Sequence, residues 1–314
     1  MILTVTLNAA LDVTYQVPRL RPGEVHRVAG VHERPGGKGV NVARVLHGLN
    51  EPVLATGLVG GGTGAAIRTL LGEIRHSFVD IAGISRRTTV VVDGSSTTGF
   101  WEPGPEVSGP EWESFVAHYA ALLRISRVVV LSGSLPPGLP VDAYARLIEL
   151  ARSVEVPVVL DASGEPLAAG VAAGPDIVKP NAHELAIMSG MAVGAFEAGA
   201  VELVEAEAVA AADAVRDGGR TAVVASLGPH GLVASTGDGR WHARPAAALT
   251  GNPTGAGDAA VAALAFGLAY RVPWPQRLAD AVGLSGAAVL NPVAGTISQT
   301  DYARLRRAAD VREV

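Results

Sequence analysis

Short apolar runs rich in β-branched residues alternate along this chain with longer segments whose apolar residues recur at helical spacing. One such segment starts near residue 110, and its apolar face carries Trp112, Phe115, Val116, Tyr119, Leu122 and Leu123. The apolar runs that follow predict buried strands at 127–132, 156–161, 176–179 and 222–227. Because strands separated by helices pair in parallel, the pattern predicts an α/β fold with a mostly parallel central sheet and helices on both faces.

The first hundred residues combine this strand–helix pattern with a second pattern, that of partly exposed strands. Apolar runs predict strands at 2–8 and 53–59, and helical spacing predicts a helix at 40–49 and another that ends near residue 71. Looser alternation at 13–18, 25–31, 88–93 and 97–101 predicts two partly exposed β-ribbons. We interpret the ribbons as a small sheet set apart from the main body, a lid formed by roughly residues 12–34 and 86–103.

Residues 251–258 read Gly-Asn-Pro-Thr-Gly-Ala-Gly-Asp and precede an apolar run, 259–269, that predicts a buried helix. The loop should leave the backbone N–H groups of Gly255, Ala256 and Gly257 free at the helix start, where unpaired donors and the helix dipole attract anions. Asp258 is unusual beside an anion site. It can be a base that takes a proton next to a developing phosphoryl charge, or an aspartate that stabilises its own helix.

Polar side chains follow the ends of several predicted strands, and the carboxyl ends of parallel strands share one edge of a sheet. These residues are Asn8 and Asp12, Ser132 and Ser134, Asp161, Lys179, Asn181 and Glu184, and Ser226 with Gly228. Together with the helix start before Asp258 they predict a lined cleft. Asn181 and Glu184 offer oxygen ligands that suit Mg²⁺, although the same spacing is typical of an Asn–Glu capping box, and both can hold.

Length, charge and cysteine count limit the partners and the kinds of site that the chain can have. The 314 residues suffice for one large α/β domain, the net charge is −5 without a basic run, and there is no cysteine. We therefore expect no nucleic-acid partner, no disulfide and no thiolate metal site. No apolar run is long enough to predict a membrane span, and the first residues favour a strand over a signal peptide, so we expect a cytoplasmic protein.

Only two of the 25 basic residues are lysines, Lys38 and Lys179, and both lie at turns between apolar segments. A compact ammonium group suits a phosphate differently from a planar guanidinium, although codon bias would produce the same count. The eight histidines show no paired spacing that would predict a metal site.

Two nucleotide fingerprints give different results. The Walker pattern G-x-x-x-x-G-K-[ST] is absent. Residues 60–65, Gly-Gly-Gly-Thr-Gly-Ala, fit G-x-G-x-x-A between a strand and a helix, with Asp80 twenty residues on, which would suit a dehydrogenase. That strand is not the first of the fold, and Asp80 follows no clear strand end, so we do not favour this interpretation.

With these residues assembled, the chain resembles the ribokinase/PfkB superfamily of carbohydrate kinases, and most of all its branch of 1-phosphofructokinases, tagatose-6-phosphate kinases and the minor 6-phosphofructokinase. The resemblance covers nearly the whole chain. It rests on Thr6-Leu7-Asn8, Gly36-Gly37-Lys38-Gly39-Val40-Asn41, Glu102-Pro103-Gly104-Pro105, Ser132-Gly133-Ser134, Lys179-Pro180-Asn181 and residues 252–258. It implies a single ribokinase-like domain over residues 1–314.

The resemblance also implies ATP-dependent phosphorylation of a sugar hydroxyl. Asp258 would be the base, and the amides of Gly255, Ala256 and Gly257 would stabilise the transferring phosphoryl group. Carried over by position, the residues for ATP phosphates and Mg²⁺ are Lys179, Asn181 and Glu184, with Asp161 behind the metal ligands and with Ser226 and Gly228 beside the nucleotide. The motifs leave open whether a monovalent cation assists.

For the acceptor, the resemblance assigns sugar binding to Asp12, Gly37, Lys38, Asn41 and Ser134. Arg86 and Arg27 match positions that in this branch hold the phosphate already on the sugar, although either can be a solvated edge-strand charge. Three residues depart from the branch: Ala9 replaces a proline, His26 an asparagine, and Ala259 a frequent serine. His26 lies beside Arg27 and bears most on the identity of the sugar.

The sequence thus predicts a kinase that converts a hexose phosphate to a bisphosphate, with fructose 1-phosphate ahead of tagatose 6-phosphate and fructose 6-phosphate. A kinase of an unphosphorylated sugar or nucleoside is the alternative enzyme, and a non-catalytic sugar-phosphate-binding regulator is the alternative of another class. The resemblance further implies a homodimer formed through the lid, with a sugar phosphate and ATP as the small-molecule partners.

Overall fold

The computed structural model describes residues 1–94, 96–196, 201–291 and 295–314. Within them the strands, numbered in chain order, are β1 (Ile2–Thr6), β2 (Ala10–Gln16), β3 (Gly30–Gly36), β4 (Val53–Val59), β5 (His76–Asp80), β6 (Arg86–Val92), β7 (Thr97–Trp101), β8 (Val128–Ser132), β9 (Val158–Asp161), β10 (Ile177–Val178), β11 (Ala222–Ser226), β12 (Leu232–Ser235), β13 (Arg240–Arg244) and β14 (Asp310–Glu313). The helices are α1 (Lys38–Gly48), α2 (Gly61–Leu70), α3 (Gly109–Leu123), α4 (Ala143–Ser153), α5 (Gly164–Ala172), α6 (Ala182–Ser189), α7 (Val201–Arg216), α8 (Ala256–Ala269), α9 (Trp274–Val289) and α10 (Gln299–Ala308).

Ten strands form the main sheet, in the order β14-β13-β12-β11-β10-β9-β8-β1-β4-β5. The pairs from β11 through β1 to β5 are parallel, whereas β12, β13 and β14 extend the sheet antiparallel. The α/β prediction is therefore confirmed, and the parallel strands place their carboxyl ends along one edge.

Consecutive residues of the central strands pack on opposite faces of the sheet, which explains why these strands are apolar throughout. In β8, Val128 and Val130 join an apolar layer with α1, α8 and α9, while Val129 and Leu131 join a layer with α3, α4 and α7. A strand that is buried on both faces cannot show polar–apolar alternation. The two layers anchor the edge at which the candidate site lies.

Four strands form a separate small sheet in the order β3-β2-β6-β7, as the two ribbons predicted. One boundary is wrong, because the expected strand at 25–31 is replaced by β3, which starts at Gly30. Val25 is 96% exposed and lies in the connection between β2 and β3. Alternation of residue types alone therefore did not locate the side chains that pack.

The sequence did not indicate β5 or the antiparallel strands β12, β13 and β14. These strands are short, and β13 and β14 contain three arginines, so they lack an apolar signal. Asp80 does end a strand, and its carboxylate pairs with Arg68 at 2.6 Å. No helix among the described residues combines the length and apolar character needed to cross a membrane.

Candidate active site

Asp258 lies in the first turn of α8. Gly255 precedes this helix in a left-handed conformation (φ 86°) that turns the chain into it. Its side chain is only 6% exposed, and Oδ2 accepts a 2.9 Å hydrogen bond from Nδ2 of Asn41 on α1. Burial and the charge of Asp161 raise the pKa of Asp258 to about 6, against the opposing effect of Asn41 and two lysines. A buried carboxylate with this pKa is suited to accept a proton near neutral pH.

The backbone N–H groups before Asp258 are only partly available. The N–H of Ala256 donates to the carbonyl oxygen of Pro253 at 3.1 Å, so the prediction that all three groups are free is wrong for Ala256. The tight turn that Pro253 starts closes on this amide. Within the described part of the chain, the N–H groups of Gly255 and Gly257 have no backbone or side-chain acceptor, and they remain the candidates for anion binding.

Asp161, at the end of β9, brings both lysines of the chain into one cluster. Its Oδ1 lies 3.1 Å from Nζ of Lys38 and 3.6 Å from Nζ of Lys179, and Asp161 and Lys179 are almost fully buried. Burial opposes the charge of Lys38, but Asp161, Asp258 and Glu184 together raise the pKa of its ammonium above the ordinary value. Lys38 thus stays charged close to Asp258, where a phosphate would need a cation.

Lys179 also points at the helix start itself. A Cβ built on Gly257 would lie 3.6 Å from Nζ of Lys179. The ammonium group and the free amide of Gly257 therefore border the same space, although the two residues are 78 positions apart in the chain. This arrangement can neutralise a multiply charged oxyanion.

Asn181 and Glu184 form the capping box that the spacing allowed. Oδ1 of Asn181 accepts from the N–H of Glu184 at 2.8 Å, and Oε2 of Glu184 accepts from the N–H of Asn181 at 2.9 Å. Ser163 donates from Oγ to Oε1 of Glu184 at 2.7 Å, so both carboxylate oxygens have partners. The capping interpretation is confirmed, and the metal interpretation stays a prediction.

The donor set still fits a hydrated cation. The described residues contain no cluster of three or more His, Cys, Asp or Glu side chains that could enclose a metal. Oδ2 of Asp161, however, is buried without a hydrogen-bond partner in that part of the structure, and it is an anionic oxygen. Mg²⁺ commonly keeps several waters and uses one or two carboxylates, so Asp161 and Glu184 could hold it through water.

The segment after β11 lies beside the capping box. Asn181 and Ser226 form an isolated parallel bridge, and the N–H of Ser226 donates to the carbonyl oxygen of Pro180 at 3.0 Å. Gly228 follows in a left-handed conformation (φ 57°) and starts a 3₁₀ turn, Gly228–His230. The predicted nucleotide residues are therefore neighbours of the predicted phosphate residues.

Asp12 organises a second group of charges where the small sheet meets α1. It pairs in register with Arg34 of β3 and with Thr88 of β6. Burial raises the pKa of Asp12 to about 6, and a hydrogen bond from Thr88 and the charges of Arg86 and Arg44 oppose the rise. A Cβ on Gly36 would lie 2.2 Å from the carboxylate, so glycine makes room for Asp12 there. The carboxylate is held where it could accept hydrogen bonds from the hydroxyl groups of a sugar.

Arg86 is the first residue of β6 and is only partly committed to the protein. Its Nε donates to the carbonyl oxygen of Asn8 and its Nη1 to that of Glu102, each at 3.2 Å. It lines an open cleft of about 540 Å³ together with Ile84, Glu102 and Gly104. A guanidinium has five N–H groups, so Arg86 keeps donors for a ligand.

The other predicted sugar residues occupy the same region with one exception. Gly37 caps the start of α1 at φ 100°, and a Cβ there would lie 2.6 Å from Cγ2 of Thr6. Ser134 accepts a 3.2 Å hydrogen bond from Nδ2 of Asn8. Arg27, in contrast, is exposed in the connection before β3 and not in a ribbon strand, because that strand starts later than expected.

Three further residues belong to the site although the sequence did not single them out: Arg34, Arg44 and Ser163. The charge of Arg34 lowers the pKa of Arg44, second only to burial, which shows that the two guanidinium groups are close. Arg34 stands directly before the Pro-Gly-Gly-Lys turn, but its position opposite Asp12 depends on strand register. No local pattern reports register between strands.

Comparison with known proteins connects this geometry to a family. The sequence profile described as pfkB family carbohydrate kinase matches residues 4–301. Escherichia coli phosphofructokinase-2 in complex with potassium is 27% identical, with 98% of each chain covered and a TM-score of 0.87. The same enzyme in complex with fructose-6-phosphate is 27% identical over 98% of each chain, with a TM-score of 0.85.

Two more distant structures share the fold. A Thermotoga maritima protein described as a possible 1-phosphofructokinase is 24% identical over 100% of this chain and 99% of its own, with a TM-score of 0.84. Arabidopsis thaliana ribokinase, complexed with ribose and ATP, is 20% identical over 98% of each chain, with a TM-score of 0.69. The ribokinase-like fold expected from the sequence is therefore confirmed.

Proposed function

This chain belongs to the pfkB family of carbohydrate kinases, phosphotransferases that use ATP and act on a sugar hydroxyl, and we propose that the sugar it phosphorylates already carries one phosphate. The product would be a sugar bisphosphate. Fructose 1-phosphate is the first candidate from the sequence motifs. Fructose 6-phosphate is the second, because the E. coli relative was crystallised with it.

The charge around Asp12 carries this proposal. Three guanidinium groups, those of Arg34, Arg44 and Arg86, lie around Asp12. The charge of Asp12 acts on Arg44 and Arg86, that of Glu102 acts on Arg86, and that of Arg34 acts on Arg44. Neither Arg34 nor Arg86 makes an ion pair with an acidic side chain within the described structure. The region keeps a surplus of positive charge, which favours a phosphorylated sugar over a neutral one.

We propose that Asp258 takes the proton from the acceptor hydroxyl as its oxygen bonds to the γ-phosphorus of ATP and the bond to ADP breaks. The amides of Gly255 and Gly257, with Lys179, would stabilise the charge on the transferring group. Mg²⁺ held at Asn181, Glu184 and Asp161, through water, would neutralise ATP phosphates when bound. Asp12, Gly37, Asn41 and Ser134 would orient the sugar hydroxyls.

We also propose that the small sheet closes over the sugar as a lid and pairs with that of a second chain. Phe100 and Trp101 of β7 are 57% and 69% exposed, an apolar surface that a second copy would cover. Closure would exclude water and limit ATP hydrolysis. Sedimentation analysis of the wild-type chain and of Trp101→Glu tests the pairing. A monomeric wild type would contradict it.

The decisive experiment is a panel of acceptors assayed with ATP and Mg²⁺ by ADP release. Fructose 1-phosphate, fructose 6-phosphate and tagatose 6-phosphate are compared with ribose and adenosine. We expect kcat/KM for at least one hexose phosphate to exceed that for the neutral acceptors by 10²-fold or more, on the order of two phosphate–arginine contacts. Turnover of ribose or adenosine alone would refute the proposed substrate class, and no turnover at all would favour a binding regulator.

A further inference from the structure

His242 is a buried histidine outside the catalytic cluster, and both of its ring nitrogens face hydrogen-bond acceptors. It lies in the middle of β13 and is 1% exposed. Nδ1 is 2.8 Å from Oε2 of Glu205, and Nε2 is 2.8 Å from the carbonyl oxygen of His230. Each ring nitrogen thus has one acceptor within hydrogen-bond distance, and the ring is held between Glu205 and the backbone of the Gly228–His230 turn.

Glu205 has a second partner on β14, the strand at the edge of the main sheet. It lies on α7, is nearly buried, and forms an ion pair with Arg312 of β14. Arg312 and His242 are also register partners in the antiparallel pair of β13 and β14. A continuous polar chain thus runs from the last strand, through a helix and β13, to one backbone carbonyl group.

That carbonyl belongs to the last residue of the 3₁₀ turn Gly228–His230. On one side, Ser226 ties the start of this segment to Pro180 and the capping box. On the other side, the turn packs tightly against β13, because a Cβ on Gly231 would lie 2.2 Å from the carbonyl oxygen of Ala243. The hydrogen bond from His242 therefore reaches the turn at the point where it leaves the nucleotide side.

We propose that His242 is a positioning residue for the ATP site. Held by Glu205, it fixes the carbonyl oxygen of His230 and with it the Gly228–His230 turn, against which the nucleotide binds. This inference rests on the proposed nucleotide role of Ser226 and Gly228. The proposed sugar site is formed by the small sheet and α1. Loss of the His242 contact should therefore weaken ATP binding and leave binding of the sugar phosphate unaffected.

The test is calorimetric binding of a non-hydrolysable ATP analogue with Mg²⁺ to the full chain, which needs no acceptor sugar. We expect His242→Leu to weaken binding by about tenfold, the effect of losing one hydrogen bond that positions the turn. His242→Gln, whose amide can donate to the carbonyl of His230, should stay within about threefold of wild type. In kinetic assays, KM for ATP should rise in His242→Leu while KM for the sugar phosphate stays unchanged.

Tyr302→Phe is the matched control, because it removes another partly buried hydrogen bond, the one to Asp280, in the α9–α10 region. It should lower the melting temperature without changing analogue binding. If His242→Leu does not fold, Glu205→Gln decides, with an expected weakening of about threefold to tenfold.

Equal analogue binding by wild type and His242→Leu would overturn the proposal, as would equal binding by wild type and Glu205→Gln where that variant decides. An equal loss in Tyr302→Phe, or parallel increases in both KM values, would reduce His242 to a general stabilising role and also overturn it. Failure of the wild type to bind the analogue would instead refute the proposed ATP site.

Discussion

Nδ2 of Asn41 donates a 2.9 Å hydrogen bond to Oδ2 of Asp258, and this contact joins two helix starts that are 217 positions apart. The other side-chain atom of Asn41, Oδ1, is buried without a hydrogen-bond partner among the described residues. Asn41 can thus orient the carboxylate and still accept a substrate hydroxyl. It links the proposed base to the proposed sugar site.

Asp258→Asn should lower kcat by at least about 10²-fold, the lower range for losing a general base. The asparagine can still accept from Asn41, so the site geometry should persist. Asp301→Asn is the matched control. Asp301 also lies in the first turn of a helix, α10, but α10 contributes no residue to the proposed site. Steady-state kinetics at saturating ATP measure both variants. An unchanged kcat in Asp258→Asn would leave only the helix-stabilising role.

Activity should fall as the pH drops through about 6. Burial raises the pKa of both Asp258 and Asp12 to about 6. Asp258 must be ionised to take a proton, and Asp12 must be ionised to accept hydrogen bonds from the sugar hydroxyl groups on both oxygens. The phosphate of the sugar itself titrates near pH 6, so kcat at saturating sugar phosphate is the quantity to follow. A kcat that stays constant down to pH 5 would contradict the role of Asp258.

Asp258→Asn should also make the protein more stable at neutral pH. The folded-state pKa of Asp258 lies about 2 units above its ordinary value, so the folded state binds this proton more tightly than the unfolded state. The resulting stabilisation is complete below pH 4 and is lost as the pH rises to 6, a change of about 3 kcal/mol. The stability gap between variant and wild type should therefore widen over that range.

Urea unfolding of both proteins at pH 4.5 and pH 7.5 measures this gap. Asp301→Asn again serves as the control, because the pKa of Asp301 is lowered by its hydrogen bonds with Arg304 and Ser298, so its substitution should destabilise instead. A gap between Asp258→Asn and wild type that does not change with pH would show that the carboxylate carries no desolvation cost.

Arg86→Ala and Arg34→Ala should each raise KM for the sugar phosphate by about 10- to 100-fold, and KM for ATP by less than about twofold, since a charged hydrogen bond contributes about 1.5–3 kcal/mol. Arg87→Ala is the matched control, because Arg87 is the next residue of β6 and its side chain is exposed. Equal increases in both KM values would place these arginines outside the sugar-phosphate site.

Two substitutions of Glu184 distinguish its role in the helix cap from its proposed role in metal binding. Glu184→Gln keeps a side chain that can complete the capping box, so the melting temperature should change little, while the Mg²⁺ concentration for half-maximal activity should rise several-fold. Glu184→Ala loses both functions and should cost about 0.5–2 kcal/mol of stability in addition. If Glu184→Gln needs no more Mg²⁺ than wild type, the residue acts only as a helix cap.

Local signals predicted most of the fold and failed where a signal is weak or ambiguous. The buried strands β8, β9 and β11 and the helix that follows Asp258 were predicted because apolar runs and glycine-rich turns act within a few residues. The charged strands β13 and β14 carry no such signal. The start of β3 was misplaced because an exposed valine, Val25, looks the same in the sequence as a buried one.

The sequence by itself determined the types of chemistry: an aspartate at a glycine-rich helix start, two lysines kept among 25 basic residues, and polar side chains after parallel strands. Tertiary structure alone decided which of these groups meet. It brought Asn41 into contact with Asp258, both lysines close to Asp161, and Arg34 opposite Asp12. The physical reason is range, because turn and helix preferences act between neighbours, whereas strand register and packing act between residues far apart in the chain.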